Sequence, residues 1–185
     1  EYYRRAISIM EKGKAENPDL ARLENNLANL YRSERDYAKA LEMHSRALNI
    51  LEKSAGPYHW TTVLTLGGAA RTYAAMGDLE NAVKYESRLN AALETSIALN
   101  LAIGSERQKL AFLNTASDYT DRTISLSARQ APNDADAASL ATLVLLQRKG
   151  RVLDAMTDTL AALKRRFNSQ DQALLNQLNE TTAQL

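Results

Sequence analysis

Four polar side chains near the start of the chain have the chemistry and the spacing needed to hold a peptide. They are Arg22, Asn25, Asn29 and Arg32. Steps of three and four positions keep all of them on one face of a helix. A carboxamide can donate to and accept from a peptide backbone, and a guanidinium group can bind a carboxylate through two parallel hydrogen bonds. Side chains of these types on one face would suit an extended or acidic peptide; the alternative is an ordinary solvated face of an amphipathic helix.

Catalytic chemistry finds little support in the residue types present. The chain has no cysteine, which excludes a thiol nucleophile and a disulfide in this sequence, and no Gly-x-Ser-x-Gly elbow occurs. His44 and His59, the two histidines, lack metal-ligand spacing, so a packing or surface polar role is favoured for each. Gly67 and Gly68 precede no phosphate-binding lysine and are expected to permit close helix approach. We predict a segment without catalytic activity, metal or cofactor.

Composition limits the classes of partner. Hydrophobic residues make up 45% of the chain and charged residues 24%, and the formal net charge is +1. A nearly neutral chain has no general attraction to nucleic acid or to an anionic membrane. No apolar run approaches the roughly 18 residues that span a bilayer. The absence of cysteine leaves cytosolic and exported locations open, and a cytoplasmic location is our expectation.

Two basic clusters late in the chain raise nucleic-acid binding as an alternative. They are Arg148, Lys149 and Arg151, and Lys164, Arg165 and Arg166. Acidic Asp154 follows the first cluster, and few aromatic residues are interleaved for base stacking. A solvated face or an inter-domain contact is therefore favoured over nucleic-acid binding.

A pattern that recurs once downstream, and in part upstream at residues 4–12, must position the polar set. Leu27, Ala28 and Tyr31 form one apolar stripe at helical spacing, and Tyr37 and Ala40 begin a second after a polar break, which predicts two paired helices. The same residue types recur in the same order at Ala70, Tyr73, Asp78, Ala82 and Arg88, matching Ala28, Tyr31, Asp36, Ala40 and Arg46. These five pairs are separated by the same difference in residue number. We call that difference, which takes Ala28 to Ala70, the repeat step. We expect a core that includes Leu27, Ala28, Tyr31, Tyr37, Ala40, Ala70, Tyr73 and Ala82.

This spacing of small and aromatic residues resembles the tetratricopeptide repeat, and the long repeat step with the phrases ENNLA and RALNILEK resembles the kinesin-light-chain variety. The resemblance implies a protein-binding scaffold in which the first helix of each pair lines a concave groove. It adds Leu64, Gly67 and Arg71 to the groove, and it implies a peptide contact for Asn26. Departures from the pattern are Arg35 in place of a turn glycine and Leu79 and Glu86 in place of aromatics.

The predicted fold is all-α: a tetratricopeptide-type α-solenoid over residues 1–103, then a connector of longer, irregular helices over 104–185. We expect about eight helices, near 1–14, 19–33, 36–54, 58–76, 78–101, 105–129, 135–167 and 169–185. The start at Glu1 predicts a piece of a longer chain that opens inside a truncated repeat. An apolar face near Ile7, Ile9 and Met10 would then be exposed, with self-association as its symptom.

A second resemblance lies in residues 143–156, LVLLQRKGRVLDAM, and in 104–113, GSERQKLAFL. Both are similar to the helical connector of bacterial proteins that end in a CHAT domain, a caspase-like peptidase domain. The resemblance implies a parent cysteine peptidase whose catalytic domain follows Leu185. An alternative role for the chain is then a structural rod that couples partner binding to that domain.

Overall fold

The computed structural model describes the backbone of residues 2–10, 17–103 and 106–166. It describes the burial of the side chains at residues 2–10, 17–99, 113–114 and 116–150. These residues form only helices and connecting turns, which confirms the all-α prediction. The helices are α1 (Tyr2–Met10), α2 (Pro18–Ser33), α3 (Tyr37–Ser54), α4 (Trp60–Met76), α5 (Leu79–Ile103), α6 (Glu106–Ser125) and α7 (Ala135–Arg166). A π-helical turn, Leu126–Gln130, continues α6. The helix predicted over 169–185 lies outside the described residues.

Capping side chains fix where the helices begin. Asn17 accepts a hydrogen bond from the backbone of Asp19 at 2.9 Å, with Pro18 in the first turn of α2. At the start of α3, Asp36 Oδ1 accepts from the backbone N–H of Lys39 at 3.3 Å. At the start of α5, Asp78 Oδ1 accepts from the backbone N–H of Asn81 at 3.1 Å. Each cap satisfies an N–H group that has no partner within its own helix. These local signals explain why the predicted starts agree with the structure to within about two residues.

His59 is also a cap. Its Nδ1 accepts a hydrogen bond from the backbone N–H of Thr61 at 3.3 Å, and the side chain is exposed at the start of α4. This is the surface polar role predicted for His59.

The helix pairs α2/α3 and α4/α5 form two hairpins. Most of the predicted core is buried in them, namely Leu27, Ala28, Tyr31, Ala40, Ala70 and Ala82. Tyr37 and Tyr73 are half-buried, so the prediction that they belong to the core is only partly met. Small residues at the helix contacts allow close packing, and the larger side chains fill the space beside them.

At the N-terminal end, the prediction of an exposed apolar face is wrong for Ile7. That residue is buried in one cluster with Leu20, Leu27 and Tyr31, because α1 packs against α2. Met10 is half-buried. Ile9, on the other side of the helix, is 62% exposed, so the exposed apolar surface is narrower than the sequence suggests.

A second apolar cluster runs through helices α3 to α6. It includes Leu48, Leu66, Leu93 and Tyr119, and the edge of Tyr119 meets the Trp60 ring at 5.8 Å between centroids. A third cluster joins α5 to the start of α7 through residues such as Ala82, Leu140 and Val144. Helix α6 therefore belongs to the same packed array as the two hairpins.

The chain divides into two compact units, Glu1–Val144 and Leu145–Leu185. The first contains α1 to α6 and the start of α7. The described part of the second is the continuation of α7 to Arg166. The boundary predicted between repeats and connector at 103/104 falls inside the first unit, and where the repeats end stays a prediction.

Within the described ranges, no helix combines the length and the apolar composition needed to cross a membrane.

Candidate functional site

The predicted asparagines on α2 lie mostly beneath the surface. Asn25 is 8% exposed, and its Oδ1 is enclosed without a hydrogen-bond partner. Asn29 is half-buried, and its Nδ2 donates to the backbone carbonyl of Asn25 at 3.0 Å. Its Oδ1 is also enclosed and has no hydrogen-bond partner among the described residues. Arg32 is half-buried, with its Nε enclosed and lacking an acceptor. These three residues share one edge of α2, at steps of four and three positions.

Arg22 and Asn26 form the solvent side of the same helix. Both are exposed, and Arg22 pairs with Asp19 at 3.1 Å across one turn of α2. An exposed pair of this kind stabilises little and leaves the guanidinium accessible.

On α4 two of the three predicted residues are exposed. Leu64 is 37% exposed and Arg71 is exposed, whereas Gly67 between them is buried. The Arg71 Nε donates to the Gly67 carbonyl at 3.2 Å, which holds the start of its guanidinium group over α4.

The two glycines of α4 leave room for side chains of neighbouring helices that pack against α4. A Cβ on Gly67 would lie 2.9 Å from Leu89 Cδ1 and 3.0 Å from Arg122 Nη2. A Cβ on Gly68 would lie 2.4 Å from His44 Cε1, closer than such contacts allow. The prediction that these glycines permit close approach is confirmed.

Arg32, Arg71 and Arg122, which we call the arginine strip, lie on the alternate helices α2, α4 and α6. Although Arg71 is exposed, partial burial lowers its pKa, and the nearby charges of Arg122 and Arg32 lower it further. Among the residues that the structure describes, no carboxylate lies within ion-pairing distance of Arg32 or Arg71. Arg32 and Arg71 therefore present positive charge that the described residues leave without an ion pair.

Arg122 differs from the other two because a buried carboxylate holds it. Glu86 is 2% exposed, and its Oε1 lies 3.3 Å from Arg122 Nη2. The Thr123 hydroxyl donates to the same oxygen at 2.9 Å, and Asn90 Nδ2 donates to that hydroxyl at 3.0 Å. Arg122 also lies over the Tyr119 ring, 4.6 Å from its centroid. This network fixes the position of Arg122 between α5 and α6.

His44 is buried beneath the other end of the strip. It is 1% exposed, and neither ring nitrogen has a hydrogen-bond partner among the described residues. Burial, followed by the charges of Arg71 and Arg32, lowers the pKa of His44 to about 4. The imidazole is therefore neutral at neutral pH, and the predicted packing role is confirmed.

Sequence reasoning missed Arg122 and the role of Glu86. Arg122 lies in the part assigned to a connector, where the repeat pattern fades. Glu86 enters the pattern only as a departure from an aromatic position. The repeat step takes His44 to Glu86, and this correspondence is the signal in the sequence that links the two buried polar side chains.

The basic cluster of α7 is described only in part. Arg148 is half-buried and Lys149 is exposed, whereas the side chains of Arg151 and of residues 164–166 lie outside the described surroundings. In the same described portion, no group of three or more histidine, aspartate or glutamate side chains could hold a metal ion.

Paired helices that pack in chain order around small residues define the class of helical-hairpin repeat proteins. Residues 19–95 match the tetratricopeptide repeat family, so this segment is a tetratricopeptide repeat region. Over 76 residues, 40% of the chain, it is 34% identical to the kinesin light chain-related 2 protein of Arabidopsis thaliana. The matched stretch spans 12% of that protein's length.

Repeats of this family generally mediate protein–protein interaction, and the family match together with the helical fold indicates a non-catalytic repeat segment.

Proposed function

We propose that the repeat region binds an extended, acidic segment of a partner protein along the arginine strip. The observation that carries the proposal is the pair Arg32 and Arg71, on successive first helices, neither of which has an ion-pair partner among the described residues. Two guanidinium groups near each other repel, and an incoming carboxylate relieves that repulsion while accepting their hydrogen bonds. Leu64, which is exposed on the same face of α4 as Arg71, supplies an apolar contact.

Enclosed polar atoms beside the strip add to this argument. Buried polar groups almost always have a partner, and those that lack one call for a ligand or a water. Arg32 Nε is such a donor, and Asn25 and Asn29 each contribute an acceptor. A ligand could reach these atoms only after a local shift of side chains. Arginine variants therefore test the proposal more cleanly than asparagine variants, which would also alter the packing of α2.

The direct experiment uses fluorescent octaglutamate as the probe and octaglutamine as its neutral counterpart. We expect the wild-type chain to prefer octaglutamate, with affinity that falls as salt is added. Arg32→Gln and Arg71→Gln should each weaken binding by about tenfold, since a hydrogen bond to a charged group contributes about 1.5–3 kcal/mol. Arg88→Gln is the matched control, because Arg88 pairs with Glu52 at 2.9 Å, outside the strip.

Equal binding of the two peptides, or binding that survives both strip substitutions, would reject the proposal. The nucleic-acid alternative makes a different prediction. Capture of RNA or DNA that depends on Arg148 and Lys149 and is lost on nuclease treatment would favour it.

One observation favours a coupling rod as a second candidate function. Helix α7 is 32 residues long. A continuous helix can transmit a displacement along its axis, so α7 could link partner binding to a following CHAT-type peptidase domain. In the full-length protein, Gly150→Pro should break α7 and uncouple partner binding from peptidase activity, whereas Gly150→Ala should preserve the coupling. Equal coupling in the two variants would count against a rod.

Self-association and a cytoplasmic location remain proposals. The exposed Tyr2 and Ile9 side chains of α1 support the first, and Ile9→Lys should then abolish any concentration dependence in sedimentation. Cell fractionation of the full-length protein tests the second.

A further inference from the structure

His44 and Glu86 occupy the same place in two successive repeats. The repeat step that relates the two hairpins takes one position onto the other. Both lie on the second helix of a hairpin, α3 or α5, and they are 1% and 2% exposed. At equivalent depth beneath the arginine strip, one repeat therefore carries a neutral imidazole and the next carries a carboxylate.

The carboxylate occupies the interval of the strip between Arg71 and Arg122. Glu86 Oε1 lies 3.3 Å from Arg122 Nη2, and its second oxygen lies 3.4 Å from the same nitrogen. Its negative charge also acts on Arg71. The hydroxyl of Thr123 holds the carboxylate in place. Because Glu86 already balances positive charge in this interval, a carboxylate from a ligand would bind there with a smaller gain in electrostatic free energy.

In the interval between Arg32 and Arg71, the described side chains place no carboxylate within ion-pairing distance of either arginine. The His44 ring beneath it is seated against Gly68, where a Cβ would lie 2.4 Å from Cε1. A neutral ring supplies no negative charge, and Arg32 Nε remains without an acceptor among the described residues. An acidic side chain from a ligand would meet two guanidinium groups there that have no ion-pair partner among the described residues.

We infer that the buried residue at this repeat position decides which interval of the arginine strip accepts an acidic side chain of the ligand. His44 leaves the Arg32–Arg71 interval open, and Glu86 closes the Arg71–Arg122 interval. The inference rests on the proposed function, because it assigns specificity within the same peptide site. His44 and Glu86 act through the arginines above them and are not themselves ligand contacts.

Exchanging the buried charges tests the inference without changing a strip arginine. Glu86→Gln removes the internal anion, keeps the side-chain shape and retains an acceptor for the Thr123 hydroxyl. We expect octaglutamate to bind the variant about five- to tenfold more tightly, with a steeper dependence on salt. Glu52→Gln is the matched control: it removes the same charge from a carboxylate paired to Arg88, outside the strip, and should change the affinity by less than about twofold.

The reverse exchange places a carboxylate beneath the open interval. His44→Glu should weaken octaglutamate binding at least about tenfold more than His44→Gln, which removes the imidazole without adding charge. Because a buried carboxylate can prevent folding, thermal melting is recorded for each variant. Glu86→His places a histidine here, as the preceding repeat does at residue 44. This variant should also bind octaglutamate more tightly than wild type.

The proposed function and the inference about Glu86 are overturned by different results. If wild-type protein shows no preference for octaglutamate, the proposed function fails. If wild-type binding depends on Arg32 and Arg71, yet folded Glu86→Gln and Glu86→His bind octaglutamate no more tightly than wild type, the inference about Glu86 is overturned and the peptide site stands.

Discussion

Arg35 and Gly77 occupy equivalent turns, related by the same step that takes Ala28 to Ala70, and both have left-handed backbone, with φ of 62° and 83°. In both turns the residue that follows donates its N–H back to the end of the first helix, from Asp36 to Tyr31 and from Asp78 to Tyr73. The geometry of the turn is therefore set by the hairpin and not by the residue that occupies it. An arginine in this conformation is strained because its Cβ approaches the neighbouring backbone.

Arg35→Gly should stabilise the protein. Relief of the left-handed strain is worth about 1–2 kcal/mol, offset by about 0.5–1 kcal/mol for the greater freedom of glycine in the unfolded chain. We expect the free energy of unfolding to rise by about 0.5–1 kcal/mol in urea denaturation. Glu34→Gly is the control, since Glu34 has an ordinary φ of −80° and glycine there should only destabilise. Equal effects of the two changes would contradict this account.

Stability should depend on pH through His44. Folding lowers the pKa of this imidazole from 6.5 to about 4, mainly by burial, so the unfolded state binds the proton more readily. The contribution of His44 to stability is therefore full above pH 6.5 and is lost as pH falls from there towards 4, by about 3 kcal/mol in all. Denaturation curves of wild type and His44→Gln should show this slope only in the wild type. Parallel pH profiles would show that His44 is protonated without cost in the folded state.

Gly68→Ala should weaken the packing of the first hairpin against the second. The new methyl group would lie 2.4 Å from His44 Cε1, and both the ring and the α4 backbone are enclosed. Overpacking of this kind costs about 1–3 kcal/mol. In a double-mutant cycle, His44→Ala should remove most of that penalty, because the small side chain leaves room for the methyl group. Strictly additive effects would mean that the clash is relieved elsewhere.

The purified chain should hydrolyse no peptide substrate. This follows from a sequence without cysteine and from histidines occupied in packing and in capping, at His44 and His59. A panel of fluorogenic peptides provides the measurement. Turnover that persists through purification and disappears in His44→Ala would overturn the assignment.

The sequence by itself determined the helix starts, the two hairpins and most of their core. These features depend on short-range rules: apolar spacing marks the buried face of each helix, and caps such as Asp36 and Asp78 mark its start. The repeat step then aligned Ala28 with Ala70 and indicated which helices pair. Gly67 and Gly68 could be assigned to close packing because an apolar helix tolerates glycine mainly where a neighbour approaches.

Only the tertiary structure decided how the polar residues are grouped. The repeat step takes Arg32 to Ala74 and Arg71 to Leu113, so it does not connect the arginines of the strip with one another. They meet because each hairpin packs on the next at an angle and depth set by many side chains at once. The same packing encloses Asn25, which helical spacing and the resemblance to tetratricopeptide repeats had placed in the groove, and it brings Glu86 to Arg122. Periodicity along one helix specifies the direction of a side chain, but the neighbour that it meets depends on contacts distant in the chain.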